Sequence, residues 1–120
     1  MKALICEDNT LALKVLEVTL RRLNFEVIVA RDGDEGIRHL QEESVNLLVT
    51  DINMPYNNGL EVVEYLRKHS DRRIPIIIVT NINLEETRKH AKELGADAYI
   101  TKPFDPDELV KAINSLNIPS

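Results

Sequence analysis

Five short apolar runs alternate with five amphipathic segments, and this alternation limits the possible folds more than any other feature of the sequence. The apolar runs cover residues 3–6, 25–30, 45–50, 74–80 and 98–101. They show little polar alternation, which is typical of strands covered on both faces. Strands that alternate with helices make right-handed crossovers and form a parallel sheet with helices on both sides. The sequence therefore predicts a single doubly wound α/β domain over residues 1–120.

The segments between the runs carry recognisable helix signals. Acids at Glu7-Asp8 and at Asp107-Glu108 suit helix N-termini, and Gly95 ends a charged segment as a C-cap. In the first helix, residues at helical spacing predict a buried stripe of Ala12, Val15, Leu16, Thr19, Leu20 and Leu23. In the fourth helix, the same spacing is shown by Leu84, Thr87, Ala91 and Leu94.

Leu11 and Val18 lie seven residues apart on the flank of the first helix, outside its predicted buried stripe. Two apolar side chains in this position could extend the core. They could also form an exposed ridge on which a partner protein docks. The sequence leaves both interpretations open, and the docking ridge is the functional hypothesis.

Composition excludes several classes of protein. A chain of 120 residues can bury a core without disulfides or structural metals. Its net charge of -5 argues against direct nucleic-acid binding, which needs clustered Lys and Arg. The lone Cys6 is expected to be a buried apolar side chain in a reducing compartment. Because the N-terminal apolar run is too short for a signal peptide or a membrane span, we expect a cytoplasmic protein without membrane contact.

Asp51 ends the third apolar run and is followed by a turn over Pro55 to Gly59. An ionised carboxylate at the end of a buried strand is costly to desolvate unless it binds a cation or takes part in chemistry. Turn formation is an alternative explanation, because Asp commonly bonds its own backbone at a turn. This stretch alone does not separate the two.

Other strand ends carry polar side chains as well. In a parallel sheet the carboxyl ends of all strands lie at one edge, where ligands bind. Besides Asp51, four residues are predicted at this edge: Glu7, Asp8, Thr80 and Lys102. The second strand ends in an alanine and contributes nothing obvious. Clustered carboxylates favour a hard cation such as Mg2+, and a metal flanked by a hydroxyl and a lysine suits a phosphoryl group.

Over its whole length the chain resembles the receiver domain of two-component response regulators. The resemblance rests on a fixed order of motifs: Glu7-Asp8, Asp51 in Asp-Ile-Asn-Met-Pro with the later Gly59, Thr80 after an aliphatic strand, Tyr99, and Lys102-Pro103-Phe104. It implies a flavodoxin-like fold with strand order 2-1-3-4-5. It also implies a phosphorylation-dependent signalling switch that is not a conventional turnover enzyme but assists its own phosphorylation and dephosphorylation.

The resemblance assigns a role to each site residue. Asp51 would be the phosphoacceptor, attacking the phosphohistidine of a sensor histidine kinase or phosphotransfer protein to give an acyl phosphate. Mg2+, or Mn2+ in its place, would be held by Asp8, Asp51 and the backbone carbonyl of Asn53, with Glu7 acting through a water. Lys102 would pair with a phosphoryl oxygen as a point charge.

The resemblance also implies how the switch is read. The Thr80 hydroxyl would move inward to a phosphoryl oxygen, which leaves space for Tyr99 to rotate inward. This would remodel the surface around helix four, strand five and helix five, which a downstream output domain or target protein would recognise. The chain would be a monomer that can dimerise when phosphorylated, and Lys102-Pro103 would be a cis peptide.

Four positions depart from the commonest family pattern. Asn81 stands where Ala or Gly is usual, and Ile82 is apolar where some fast-hydrolysing members have an acid or amide that orients water. Asn57-Asn58 replaces the more frequent Met-Asp or Met-Asn. From Asn81 and Ile82, and from the amide of Asn53 where an aspartate would favour turnover, we predict slow loss of the phosphoryl group from Asp51.

Three other functions compete with this hypothesis. A phosphohydrolase of the haloacid dehalogenase class also uses a strand-end Asp, but it needs a second aspartate where this chain has Asn53, and an amide cannot serve as a general acid. A flavodoxin-like nucleotide or redox domain is disfavoured because the loop after the first strand has two acids and no glycine. A receiver that acts only as a binding module remains the main alternative.

Overall fold

The computed structural model describes residues 1–116 and Ile118, and in this part of the chain strands and helices alternate as predicted. The strands are β1 (Lys2–Cys6), β2 (Glu26–Ala30), β3 (Leu47–Thr50), β4 (Ile76–Thr80) and β5 (Ala98–Thr101). The helices are α1 (Thr10–Arg22), α2 (Gly33–Glu42), α3 (Gly59–His69), α4 (Glu85–Leu94) and α5 (Pro106–Ser115). None of these helices combines the length and the apolar character needed to cross a lipid bilayer.

All strand pairs are parallel, and the sheet order is β2-β1-β3-β4-β5. The expected doubly wound fold and its strand order are therefore confirmed. In the register Cys6 lies opposite Thr50 and Thr80 lies opposite Thr101, while Thr50 lies opposite Ile78, so β4 runs two residues beyond the end of β3 at the same edge of the sheet. The residues that follow these ends consequently leave the sheet at one edge.

Three predicted strands begin later than their apolar runs. Phe25, Val45 and Ile74 are buried but lie outside the strands. The Phe25 N–H bonds back to the Leu20 carbonyl at the end of α1, so it is not available to the sheet. Pro75 has no N–H to donate, which delays β4 to the next residue. Hydrophobicity alone does not separate a buried lead-in from a paired strand residue.

The sheet separates two cores. On one face, α1 and α5 cover buried residues that include Ile5, Leu16, Leu47, Val79 and Leu109. On the other face, the side chains come mainly from α2, α3 and α4 and cover Leu4, Leu48, Val62, Ile78 and Ala91 among others. Because both faces are covered, the central strands can be apolar throughout. Every residue of β3 and β4 is buried.

The buried face of α1 is rotated slightly from the prediction. Leu13, which the predicted stripe omits, is buried together with Leu16, Thr19 and Leu20. Ala12, Val15 and Leu23 of the predicted stripe are only half-buried. In α4, Leu84 was predicted to face inward but is the N-cap residue and is 62% exposed. Periodicity defines a helix face only to within about one position, and the sheet beneath selects the rest.

Cys6 is fully buried in β1, as predicted. Its thiol faces α2, where a Cβ added to Gly36 would lie 2.7 Å from the Cys6 Sγ. Burial raises the pKa of the Cys6 thiol to about 12. A thiol with so high a pKa is a weak nucleophile at neutral pH, and it serves here as an apolar packing group.

Candidate functional site

The carboxyl edge of the sheet is extended by backbone hydrogen bonds beyond the strand ends. The Glu7 N–H donates to the Ala30 carbonyl at 2.9 Å, and the Asp51 N–H donates to the Cys6 carbonyl at 2.9 Å. The Lys102 N–H donates to the Thr80 carbonyl at 2.8 Å. These bonds fix the first residue after three strands and direct their side chains into a common space.

Three carboxylates meet in this space. Glu7, Asp8 and Asp51 each present an oxygen, and these oxygens lie within 4.8 Å of one another. Glu7 has no exposed surface and Asp51 is 6% exposed, whereas Asp8 lies at the solvent side. The convergence predicted from separate strand ends is therefore present in the structure.

The Lys102 ammonium lies between two of these acids. Its Nζ is 2.6 Å from Glu7 Oε1 and 2.8 Å from Asp51 Oδ2. Although Glu7 Oε1 is in ion-pair contact, it accepts no well-directed hydrogen bond from the described residues. The other Glu7 oxygen, Oε2, accepts the Asn9 N–H at 3.1 Å. A buried carboxylate oxygen thus retains capacity for another ligand.

Sharing one ammonium between two acids affects the partners differently. Burial raises the pKa of Glu7, and the close contact with the Lys102 ammonium offsets only part of that effect. Burial acts to lower the pKa of Lys102, but its hydrogen bond to Asp51 and its ion pair with Glu7 outweigh burial, so its pKa is raised. Lys102 contacts two carboxylates, whereas Glu7 shares its one cationic partner with Asp51. The site is therefore short of positive charge.

This donor set fits Mg2+. Three carboxylates and one ammonium leave two negative charges uncompensated. Mg2+ carries two positive charges and prefers carboxylate and carbonyl oxygens, with waters completing its coordination. Asn53, whose carbonyl was predicted as a further ligand, is exposed at the same edge. Mn2+, which accepts similar ligands, suits the same residues.

Backbone groups hold the second oxygen of Asp51. Its Oδ1 accepts the Ile52 N–H at 2.6 Å and lies 3.4 Å from the Asn53 nitrogen. The chain then turns back, and the Gly59 N–H donates to the Ile52 carbonyl at 2.9 Å. A Cβ at Gly59 would fall on the Asp51 carbonyl oxygen, so this close approach requires glycine.

Thr80, Ile82 and Tyr99 form a connected group beside the acids. Thr80 is fully buried, and its Oγ1 accepts the Ile82 N–H at 3.4 Å. Half-buried Tyr99 donates its hydroxyl to the Ile82 carbonyl at 2.7 Å. The Arg88 guanidinium lies 4.6 Å from the centre of the Tyr99 ring. Burial raises the pKa of Tyr99, an effect that Arg88 partly offsets.

The remaining sequence predictions are placed as follows. Asn81 is exposed and Ile82 is half-buried at the start of the β4–α4 loop. Leu11 is 76% exposed on α1, whereas Val18 is half-buried and therefore less available than expected. The Lys102-Pro103 peptide is cis, as predicted.

Two contacts at this edge were not predicted from the sequence. Arg31 follows β2, which was expected to contribute nothing, and donates to the Asp8 carbonyl at 3.1 Å and to Thr10 Oγ1 at 2.8 Å. Arg88 packs on Tyr99 from α4. The position of Arg31 directly after a strand could have indicated the first contact from the sequence. Arg88 looks in the sequence like any solvent-exposed helix residue, so the second contact could not have been predicted.

Comparison with known proteins identifies relatives along most of the chain. The family model described as "Response regulator receiver domain" matches residues 3–114. The probable transcriptional regulator ycf27 of Cyanophora paradoxa is 42% identical over 115 residues, which cover 96% of this chain and 47% of the relative. The chain thus spans about half the length of the curated relatives that it matches.

Solved structures agree in fold. Chemotaxis protein CheY4 of Vibrio cholerae is 30% identical, with a TM-score of 0.87 covering 95% of this chain and 96% of the other. The receiver domain of a sensor histidine kinase of Pseudomonas aeruginosa PAO1 is 28% identical, with a TM-score of 0.84 covering 95% and 94%. That structure has a magnesium ion coordinated in the active site cleft.

Proposed function

The chain belongs to the response regulator receiver domain family, and we propose that it is a phosphorylation switch in which Asp51 accepts a phosphoryl group from a phosphohistidine. The observation that carries the proposal is the arrangement around Asp51. The buried Asp51 carboxylate clusters with the acidic pair Glu7-Asp8 and contacts the Lys102 ammonium at 2.8 Å, an arrangement that supports both metal binding and phosphoryl transfer. The single unit proposed for this role is residues 1–120.

The reaction requires little covalent chemistry from the protein. An Asp51 carboxylate oxygen attacks phosphorus, the bond from phosphorus to the donor imidazole breaks, and its electron pair stays on that nitrogen. Lys102 is released from the two acids and pairs with a phosphoryl oxygen. Mg2+, held by Asp8, Asp51 and the Asn53 carbonyl with Glu7 acting through a water, supplies positive charge to the phosphoryl oxygens. Support for this metal comes from the uncompensated charge of the site and from the magnesium in the Pseudomonas receiver domain.

Thr80 and Tyr99 couple the phosphoryl group to the surface in this proposal. Thr80 donates its hydroxyl to a phosphoryl oxygen, which removes Oγ1 from the Ile82 N–H. Because the Tyr99 hydroxyl bonds the carbonyl of the same Ile82, movement of this residue changes the position of the ring. The surface of α4, β5 and α5 changes with it, and a partner that contacts this surface distinguishes the two states.

Two partners are proposed, a phosphoryl donor and a target that recognises the switched surface. The phosphoryl donor is a sensor histidine kinase or phosphotransfer protein, and exposed Leu11 with half-buried Val18 is the candidate docking ridge for it. The target of the switched surface is an output domain or a separate protein. The relatives named as transcriptional regulators, of which this chain spans about half, favour an output domain. We propose a monomer that dimerises on phosphorylation.

Incubation with acetyl phosphate and Mg2+ tests the function directly. Intact mass spectrometry is expected to show a single phosphate adduct, and Asp51→Asn is expected to show none. Turnover of acetyl phosphate without an adduct would instead favour a phosphohydrolase. If the wild-type protein gives neither product, the binding-module alternative gains support.

A further inference from the structure

Arg31 connects the β2–α2 loop to the loop that carries the acidic pair. Its Nη2 donates to the Asp8 carbonyl at 3.1 Å and to the Thr10 hydroxyl at 2.8 Å. The two acceptors lie on either side of Asn9, so one guanidinium nitrogen spans the turn from β1 into α1. The backbone N–H of Arg31 donates to Glu35 Oε2 in α2 at 3.4 Å, which helps to fix the backbone from which the Arg31 side chain extends.

Few contacts other than those of Arg31 fix the position of Asp8. Its neighbours are held, because the Glu7 N–H bonds the Ala30 carbonyl and the Asn9 side chain caps α1 through the Ala12 N–H at 2.9 Å. The Asp8 side chain is exposed, and its carboxylate takes part in no hydrogen bond or ion pair with the described residues. The peptide that joins Asp8 to Asn9 is held on both sides, because its N–H donates to Glu7 Oε2 at 3.1 Å and its carbonyl accepts from Arg31. Since Glu7 is itself one of the clustered acids, Arg31 is the side chain from outside the acidic cluster that restrains this peptide within the described part of the chain.

We propose that Arg31 is a positioning residue for the metal, which holds the β1–α1 loop so that Asp8 presents its carboxylate toward Glu7 and Asp51. The inference rests on the Mg2+ site of the proposed function. Groups that orient metal ligands from outside the coordination shell commonly determine metal affinity, because they remove the cost of ordering the ligand at the moment of binding. Arg31 does so through the backbone and through Thr10, without touching the carboxylate.

The charge of Arg31 acts in the opposite direction from its positioning role. A guanidinium close to a cation site repels the cation, so its removal strengthens Mg2+ binding if charge alone matters. Loss of the two hydrogen bonds frees the loop, so its removal weakens Mg2+ binding if positioning dominates. The sign of the change in affinity therefore distinguishes the two roles.

The test is a calorimetric Mg2+ titration of the whole chain, of four single variants and of one double variant at low ionic strength. Arg31→Ala is expected to weaken Mg2+ binding about fivefold, the loss typical of one or two exposed hydrogen bonds that orient a ligand. Arg38→Ala is the matched control, because Arg38 is exposed on α2 and makes no side-chain hydrogen bond or ion pair with other described residues. It removes the same charge and is expected to leave the affinity unchanged or slightly increased.

Two further variants separate positioning from general stability. Arg31→Lys keeps the charge but is a single point donor, so it is expected to recover only part of the affinity. Thr10→Val is expected to weaken Mg2+ binding about twofold, and less than twofold when Arg31 is already alanine, because the two residues share one contact. Melting temperatures in metal-free buffer show whether any variant loses the fold.

The outcomes are distinct. Weaker binding by Arg31→Ala with unchanged Arg38→Ala supports the positioning role. If the wild-type chain binds Mg2+ and Arg31→Ala binds it equally well or more tightly, the inference is wrong and the proposed function stands. If the wild-type chain binds no Mg2+, the inference and the metal site of the proposed function are both overturned.

Discussion

At the scale of single residues, the site is governed by the distribution of charge around Lys102. Its ammonium contacts Glu7 and Asp51 at once, so neither acid has a cation of its own. Glu7 is the more unfavourable of the two because it has no exposed surface. In the absence of metal, the folded protein therefore contains a buried negative charge that is only partly compensated, which lowers its free energy of unfolding.

Glu7→Gln is expected to stabilise the metal-free protein at pH 7 by about 1 to 2 kcal/mol, which raises Tm by several degrees. Burial raises the pKa of Glu7 above its usual 4.5, so the folded state binds a proton more tightly than the unfolded state. The contribution of the Glu7 carboxyl to the free energy of unfolding is therefore greatest below pH 4.5 and falls as the pH rises above that value. The gain from Glu7→Gln should disappear toward pH 4 in calorimetric scans.

Exposed Glu93→Gln is the control for that experiment and should change Tm by less than about one degree. A fall in Tm for Glu7→Gln at pH 7 would mean that the ion pair with Lys102 outweighs the cost of burial. Addition of Mg2+ should raise the Tm of the wild-type protein more than that of the variant.

The lifetime of the phosphoryl group is a second property of individual side chains. Ile82 offers no group that orients an attacking water, and exposed Asn81 directly follows Thr80 in the chain. We therefore expect Ile82→Glu combined with Asn81→Ala to shorten the half-life of phosphorylated Asp51 about tenfold, a modest general-base effect. The measurement is the decay of the phosphate adduct after removal of donor. An unchanged half-life would show that other residues set the rate.

At the scale of elements, α2 and the β3–α3 loop hold each other in place. The N–H groups of Gly33 and Asp34 donate to the carbonyls of Pro55 and Tyr56 at 3.2 and 2.9 Å, and the Asn57 amide bonds the Asp34 carboxylate. Tyr56 and Asn57 have φ of 50° and 62°, a left-handed conformation that costs energy for these residues. The N-terminus of α2 thus stabilises a strained loop that follows directly from Asp51.

Gly33→Ala is expected to destabilise the protein by about 3 kcal/mol, because a Cβ there would fall on the Asn57 carbonyl oxygen and force the loop away from α2. Gly36→Ala in the same helix is the control. Its Cβ would meet the Cys6 Sγ at 2.7 Å, and a side-chain atom yields more readily than backbone. Urea denaturation should therefore show a smaller loss for Gly36→Ala, and equal losses would contradict this reasoning.

The exposed flank of α1 offers another test at the same scale. Leu11 is 76% exposed, so its change to serine should cost little stability, whereas half-buried Val18 loses some packing. We expect the double change Leu11→Ser with Val18→Ser to slow phosphotransfer from the histidine kinase about tenfold. Phosphorylation by acetyl phosphate should remain unaffected. Equal rates from the kinase before and after the change would remove these residues from the docking surface.

At the scale of the whole molecule, burial is concentrated in the central strands, and α4 has fewer buried residues than any other helix of the described chain. All residues of β3 and β4 are buried, whereas α4 buries only Ala91 and its N-cap makes no side-chain hydrogen bond. The neighbouring α3 has a capping box and four buried residues. The helix α4, which is part of the proposed switch surface, therefore has less to lose by moving than α3.

Hydrogen exchange in metal-free buffer should reflect this gradient. Amides of β1, β3 and β4 are expected to exchange last, at rates set by global unfolding, and those of α4 at least about tenfold faster than those of α3. The difference between two helices of similar length on the same face of the sheet provides an internal control. Equal protection of α3 and α4 would rule out preferential opening of α4.

The sequence by itself determined the order of strands and helices, because hydrophobic periodicity and caps are local properties. It also identified Glu7, Asp8, Asp51, Thr80 and Lys102 as neighbours, since parallel strands bring their carboxyl ends to one edge whatever the side chains do. Strand order 2-1-3-4-5 came from family resemblance, and the sheet confirms it.

Only the tertiary structure decided which partners these side chains choose. That Lys102 divides its charge between Glu7 and Asp51, and that Arg31 holds the Asp8 peptide, depends on distances of a few ångströms between residues far apart in sequence. The burial of Leu13 and the exposure of Leu84 depend likewise on how each helix is seated on the sheet. Periodicity defines faces and edges, whereas the contacts within them are set by packing, which no local pattern encodes.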